Sequence, residues 1–167
     1  MLTKAQEKMV EVWEEHVRLE FEEKDVSATI KTMTDDTHII NVPIAKLNIG
    51  LDKVEEFYSN EFVSVMPDDI ESQLISRTVG GSQIVDETIL KFTHTLEMPW
   101  ILPGVKATGK RVEVPLVAII GFKDDKVCSE HIYWDQACVL AQIGFLDSKT
   151  LPISGIESAK KLNQTCS

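Results

Sequence analysis

The sequence predicts an α+β fold: helices packed on one strongly curved antiparallel sheet, with a small-molecule pocket between the layers. Three features predict it. Helical periodicity fills most of the chain up to Pro67, and strand-like alternation fills most of the stretch from Ile70 to Trp134. Two tight-turn signals, Gly80-Gly81 and Asp124-Asp125, join strands that follow one another in sequence. Helices followed by sequential strands point to α+β, whereas a βαβ fold would alternate them.

The first helix is expected from about Thr3 to Lys24. Thr3 can cap it, and Gln6 three residues later completes a capping box. Leu2, Met9, Val10, Trp13, Val17 and Phe21 form its apolar stripe, with His16 at the edge. Asp25 caps a second, short helix, and a strand follows in DDTHIINVPI until Pro43 ends it. After a short extended piece, AKLNIG, Gly50 opens a third helix with Leu51, Val54, Phe57, Tyr58 and Phe62 on its core side. Strands are then expected in IESQLISRTV, QIVDETILKFTHTLEM, RVEVPLVAIIGF and VCSEHIYW. Asp135 caps a last helical turn that Gly144 ends. The 167 residues suit one domain, read as residues 1–147, with 148–167 as a tail that packs on it or trails from it.

Composition excludes several function classes. A net charge of −10 with no basic stripe repels a phosphate backbone, so nucleic acid is not an expected partner. No apolar run is long enough for a bilayer and the N-terminus lacks a signal-peptide pattern, so the expectation is a cytoplasmic protein without membrane contact. Cys128, Cys138 and Cys166 have no C-x-x-C spacing, and His16, His38, His94 and His131 have no metal-site spacing; no metal or cofactor is expected. Cys166 is read as a free thiol in the tail.

With Asp124-Asp125 as the turn, Lys123 faces Lys126, Ile119 faces Glu130, Val117 faces Ile132 and Pro115 faces Trp134. Alternation adds Glu113 to that face, and folding back through PWILPGVKATG brings His94 beside it. The face then carries Phe92, His94, Glu113, Glu130, Ile132 and Trp134 among apolar neighbours, a pocket-like mixture. A one-residue slip would place Val112, Val114 and Leu116 there instead. Trp13 and His16 would close the pocket from the first helix, and Trp100 would cover it from the Pro-rich loop. Each ionisable candidate also has a plain structural reading: His94 hydrogen-bonded on a half-buried strand, Glu113 paired with Lys91 or Arg111, Glu130 at a sheet edge.

The element order, together with His94, Pro103, Thr108-Gly109-Lys110-Arg111, Asp124-Asp125, Trp134-Asp135 and Gln142-Ile143-Gly144, resembles the SnoaL-like polyketide cyclase branch of the nuclear transport factor 2-like superfamily over roughly residues 3 to 147. The resemblance implies a cone-shaped sheet wrapped around helices, a homodimer, and a His and an acid lining the cavity, with the acid as general acid/base. His94 matches the His, and Glu113 lies near the acidic position, with Glu130 as a second acid. The chain has no G-x-S-x-G elbow, so no hydrolase activity is carried over from the butenolide-processing relatives that EHIYWDQA resembles. The function expected is binding of a small apolar carbonyl-type molecule, with cofactor-independent acid/base chemistry of the cyclase or isomerase kind. The alternative is a non-catalytic binder or a dimeric interaction protein, since one fold hosts many functions.

Overall fold

Thr3 and Gln6 form the reciprocal cap that the sequence predicts. The Gln6 N–H donates to Thr3 Oγ1 at 3.2 Å and the Thr3 N–H to Gln6 Oε1 at 2.9 Å. Helix α1 then runs Lys4–Arg18 and continues as a π-helical turn, Leu19–Glu23, which Lys24 ends in a left-handed conformation. This is a computed structural model, and it describes residues 1–165; Cys166 lies outside the described residues. Asp25 caps the short helix α2, Val26–Thr29, by accepting the Ala28 N–H at 2.9 Å. Strand β1, Met33–Asn41, ends at a single 3₁₀ turn, Val42–Ile44, which holds Pro43, and β2, Lys46–Ile49, returns beside it. Helix α3, Leu51–Phe57, passes through a second π-helical turn, Tyr58–Phe62, and a 3₁₀ turn, Val63–Val65. Four strands follow: β3 Glu71–Val79, β4 Gln83–Thr93, β5 Arg111–Lys123 and β6 Lys126–Trp134. Helices α4, Gln136–Gln142, and α5, Glu157–Gln164, complete the described chain.

The six strands form one curved, open sheet in the order β2-β1-β6-β5-β4-β3. Every pair is antiparallel except β1–β6, which is parallel. That pairing joins the first strand to the last, and local sequence carries no signal for it. The inner face packs on α1 and α3: Ile84, Leu90, Phe92, Val112, Val114 and Ile120 meet Met9, Trp13, Val54 and Phe57 in one core. Each large apolar side chain buried here contributes about 1.5–3 kcal/mol. Asp135 caps α4 by accepting the Cys138 N–H at 3.1 Å. Helix α5 packs against β5, and Gln73 on β3 donates to its Asn163 at 2.9 Å. No helix of the described residues is long and apolar enough to cross a membrane.

Two expectations are corrected. The strand predicted over QIVDETILKFTHTLEM runs only to Thr93, because the chain folds on itself at His94: the His94 carbonyl accepts the N–H groups of Thr108 and Gly109, and its N–H donates to the Lys110 carbonyl. The register between β5 and β6 also differs from the sequence map. The Lys123–Lys126 pair forms as expected, but Cys128 is an extra residue in β6, so Ile120 faces Glu130, Ala118 faces Ile132 and Leu116 faces Trp134. Gly121 sits opposite this bulge, where an added Cβ would lie 2.4 Å from Ser129 Oγ. The sheet closes tightly there only because residue 121 has no side chain.

The β5–β6 turn holds Asp124 and Asp125 at φ 53° and 58°, the conformation of a two-residue type I′ hairpin. An L-residue in that region costs about 1–2 kcal/mol, less for Asp, and glycine carries about 0.5–1 kcal/mol of extra chain entropy. Asp125→Gly should therefore raise stability slightly, by about 0.5 kcal/mol, read as a higher urea midpoint at unchanged slope.

Candidate functional site

Four polar side chains meet in the interior between α1, α3 and β6. His16 on α1 is fully buried, and its Nε2 lies 3.1 Å from Glu20 Oε1, 3.2 Å from the Tyr58 hydroxyl and 3.3 Å from Glu130 Oε1. The Tyr58 hydroxyl donates to Glu130 Oε1 at 3.0 Å. Helical spacing places Glu20 one turn beyond His16, and the π-helical turn at Leu19–Glu23 carries it inward, 3 % exposed. Glu130 is inward because of the bulge at Cys128, and Tyr58 because it opens the π-helical turn after α3.

The proton on the far side of the imidazole is fixed by a relay. The Thr32 hydroxyl donates to the Thr29 carbonyl at 2.6 Å, so its lone pair faces His16 Nδ1, also at 2.6 Å, and that nitrogen carries a hydrogen. Burial on its own would push the His16 pKa down. The neighbouring Glu20 and Glu130 carboxylates outweigh it and raise the pKa to about 10, so the ring is an imidazolium at neutral pH. Burial raises the Glu20 pKa, with His16 opposing the shift and Glu130 adding to it. Burial and the same two acids hold the Tyr58 hydroxyl well above its ordinary range, so it stays a donor. The ligand-type atoms of His16, Glu20 and Glu130 lie within 4.8 Å of one another, and the same three groups could hold a divalent ion.

Glu20, Tyr58 and Glu130 lie on the wall of a cavity of about 150 Å³ lined mostly by apolar groups, among them Trp13, Phe57, Phe62, Trp100, Ala118 and Ile132. A second polar group borders it. Asp86 on β4 accepts from Arg77 Nε at 2.7 Å, from Arg77 Nη2 at 2.8 Å and from Trp13 Nε1 at 2.7 Å. Trp13 also stacks on His16, ring centroids 5.1 Å apart, so one indole joins the two networks.

The structure separates the residues singled out from sequence. Glu130, Trp13, Trp100 and Ile132 line the cavity, and His16 stands directly behind its acidic wall. Glu113 does not face the cavity. It lies on the outer face opposite Lys91, and the bulge in β6 puts Glu130 on the other face; the Glu113 backbone is bracketed by Gln142, whose Oε1 accepts its N–H at 3.0 Å and whose Nε2 donates to its carbonyl at 2.9 Å. His94 is fully buried but off the cavity wall: its Nδ1 pairs with Thr108 Oγ1 at 3.1 Å, it anchors the returning loop, and burial lowers its pKa. Phe92 is core beneath Trp100, and Trp134 gives its indole N–H to Gln136 at 2.6 Å; neither lines the cavity. Sequence reasoning missed Glu20, Tyr58, Asp86, Arg77 and Asn41. Asp86 had left a signal, since it interrupts the inward series Ile84, Thr88, Leu90 and Phe92.

These features can be set beside known proteins. No family model matches the sequence, and no curated protein is similar to it in sequence. Solved structures are similar in fold. A SnoaL-like, polyketide cyclase-like protein from Jannaschia sp. CCS1 superposes with a TM-score of 0.67 at 20% identity, over 86% of this chain and 96% of that one. The chain has the nuclear transport factor 2-like fold. TsrD from Streptomyces laurentii shares this fold with a TM-score of 0.66 at 18% identity, over 87% and 100% of the two chains. The epoxide hydrolase/cyclase-like enzyme SalBIII, which acts in pyran ring formation in the polyether salinomycin, shares it at 0.61 and 18%, over 78% and 93%. Within the nuclear transport factor 2-like fold, the cavity described above lies between the helices and the concave face of the sheet.

Because the folded pKa of His16 is raised from 6.5 to about 10, its contribution to stability is complete below pH 6.5 and is lost as pH rises towards 10. Melting temperature should therefore fall across that alkaline window. His16→Gln should cost about 3–5 kcal/mol at pH 7, by leaving buried carboxylates uncompensated, and should flatten the alkaline fall. Thermal unfolding of both proteins from pH 6 to 10 checks both outcomes.

Proposed function

We propose that the cavity binds a small, largely apolar carbonyl compound and that its acidic wall moves a proton at the carbon beside the carbonyl. One observation carries this reading: two carboxyls, a phenol and an imidazolium converge on the wall of an otherwise apolar cavity. Glu130 takes the proton: the C–H bond breaks, an O–H bond forms on the carboxylate, and the electron pair moves onto the carbonyl oxygen as an enolate. The protonated Glu130 can return that proton at a second carbon, and Glu20 and the Tyr58 O–H, which donates to Glu130, complete the acidic wall. His16 is a positioning residue that keeps charge on the acidic wall tolerable. The chemistry needs no redox group or metal, and it is of the kind used in cyclisation and isomerisation. His94 and Glu113 have no part in it, one held at the loop and the other on the outer face.

The test is protein-dependent exchange of α-hydrogens for deuterium in 4-cyclohexylcyclohexanone and 2-tetralone, followed by NMR in D₂O. Wild type should exchange them, and Glu130→Gln should lose the activity by about 100-fold or more while remaining folded. Exchange that is equally fast in Glu130→Gln would sink the catalytic part and leave a binding protein.

We further propose that two copies pair through the outer face of β2, β1 and β6. There His38 and His131 approach at 2.9 Å between their Nε2 atoms, beside Leu47, Ile49 and Tyr133, which are 50, 65 and 41 % exposed. A cytoplasmic setting suits the two described cysteines, Cys128 and Cys138, which are both free thiols. Light scattering should give a dimer for the wild type and a monomer for Ile49→Lys/Tyr133→Lys; a monomeric wild type at tens of micromolar would refute the pairing.

A further inference from the structure

Three tryptophans pack in the interior, and they differ in one respect. The indole N–H of Trp13 donates to Asp86 and that of Trp134 to Gln136. Trp100 is 4 % exposed, and its Nε1 has no protein partner. Asn41 repeats the situation on the other side: it is also 4 % exposed, and its Nδ2 is buried without a protein partner. Both residues lie on the cavity wall. A buried N–H left unpaired destabilises a folded chain, and native interiors contain few of them. Two on one cavity, both donors and neither charged, amount to a recognition pattern for oxygen acceptors.

Their positions show that the pattern has two ends. Asn41 closes β1 beside Ile132 of β6, which faces Ala118 of β5. Trp100 packs edge-on against Phe62 and over Phe92, whose partner on β5 is Val112. Ala118 and Val112 are six residues apart on one strand, about 20 Å at ~3.4 Å per residue. The indole reaches part of the way back along that gap, and the two donors stand over different rows of the sheet. Between the ends lie apolar walls and the Glu130 cluster. The carboxyls of Glu20, Glu130 and Asp86 outnumber the cations His16 and Arg77, so an anionic ligand would meet net repulsion.

We infer that the ligand is an elongated neutral molecule with two separated acceptor oxygens, one bound by Trp100 Nε1–H and the other by Asn41 Nδ2–H, with the intervening carbons held against the acidic wall. This rests on the ligand-binding half of the proposed function and adds the class of molecule: a diketone, keto-ester or hydroxy-ketone with an apolar body. Trp100 and Asn41 are specificity residues, and the proton transfer does not pass through them.

A matched series of one shape tests it: bicyclohexyl-4,4′-dione, 4-cyclohexylcyclohexanone and bicyclohexyl, with two, one and no ketones. Affinities for wild type, Trp100→Phe and Asn41→Leu are compared as diketone-to-hydrocarbon ratios. The ligands' different solubilities then cancel between proteins, and so does any general loosening of the cavity. Each variant should lower the ratio roughly fivefold, the worth of one neutral hydrogen bond, with bicyclohexyl itself little changed. In the unliganded protein, Asn41→Leu should melt at the same temperature as wild type or higher, since it removes an unpaired buried donor. A ratio unchanged in both variants, or an Asn41→Leu variant that melts several degrees lower, overturns the inference while the proposed function stands. Failure of all three compounds to bind wild type overturns both. Binding of all three with unaltered α-hydrogen exchange in Glu130→Gln overturns only the catalytic reading.

Discussion

One imidazolium holds the interior together. Glu20 and Glu130 face each other through His16, both nearly buried, and an ionised carboxylate in such surroundings carries a desolvation penalty of several kcal/mol. The cation between them offsets part of that penalty, and the Tyr58 hydroxyl supplies a further hydrogen bond. The groups come from three elements, so the electrostatic requirement is also a geometric one: α1, the end of α3 and β6 must meet at one point. The Thr29–Thr32–His16 relay adds α2 and the turn after it, because Nδ1 can give its hydrogen only if Thr32 has already given its own. An unusual share of the helical layer is thus positioned by polar contacts and not by apolar packing alone.

The cavity exists because these contacts hold α1 at its two sides and leave the middle open. Trp13 ties the helix to Asp86 on β4, and His16, one turn further along, ties it to Glu130 on β6. Between those strands runs β5, and the inward residue in the row linking Asp86 to Ile132 is Ala118. A small side chain beneath a suspended helix leaves space that a Leu or Phe would fill. Arg77 completes the arrangement from β3, pairing with Asp86 and, at 2.9 Å, with Glu14 on the outer side of α1.

Sequence revealed what depends on neighbours along the chain. The caps at Thr3, Asp25 and Asp135 and the turn at Asp124-Asp125 are local chemistry, and each forms as read. Trp13, Ile132 and Glu130 were legible as inward residues. Glu20 was not, because it stands in the acid-rich run EFEEK, where a buried carboxylate looks like its exposed neighbours and the π-helical turn that rotates it has no signature. The parallel β1–β6 pair was hidden because the first strand meets the last, with His38 and His131 93 positions apart along the chain. Glu113 illustrates the third kind of failure: alternation along β5 was read correctly, but the face it shares with β6 depended on a bulge at Cys128 that composition does not announce.

That bulge has an evolutionary side. Strand β6 reads Glu130-His131-Ile132-Tyr133, with an acid and an aliphatic residue turned to the cavity and an imidazole and a phenol turned outward. Taking Cys128 into regular pairing with Gly121 would set Glu130 opposite Ile119 and exchange the two sets, giving the interior a histidine and a tyrosine and the exterior a glutamate, with no change in the sequence of the strand. A lineage with this hairpin therefore carries two alternative interiors in one stretch of sequence, separated by a one-residue slip. Substitution at Gly121, where a side chain would collide with Ser129, is a mutational route by which such a scaffold could change its interior and acquire a new reaction.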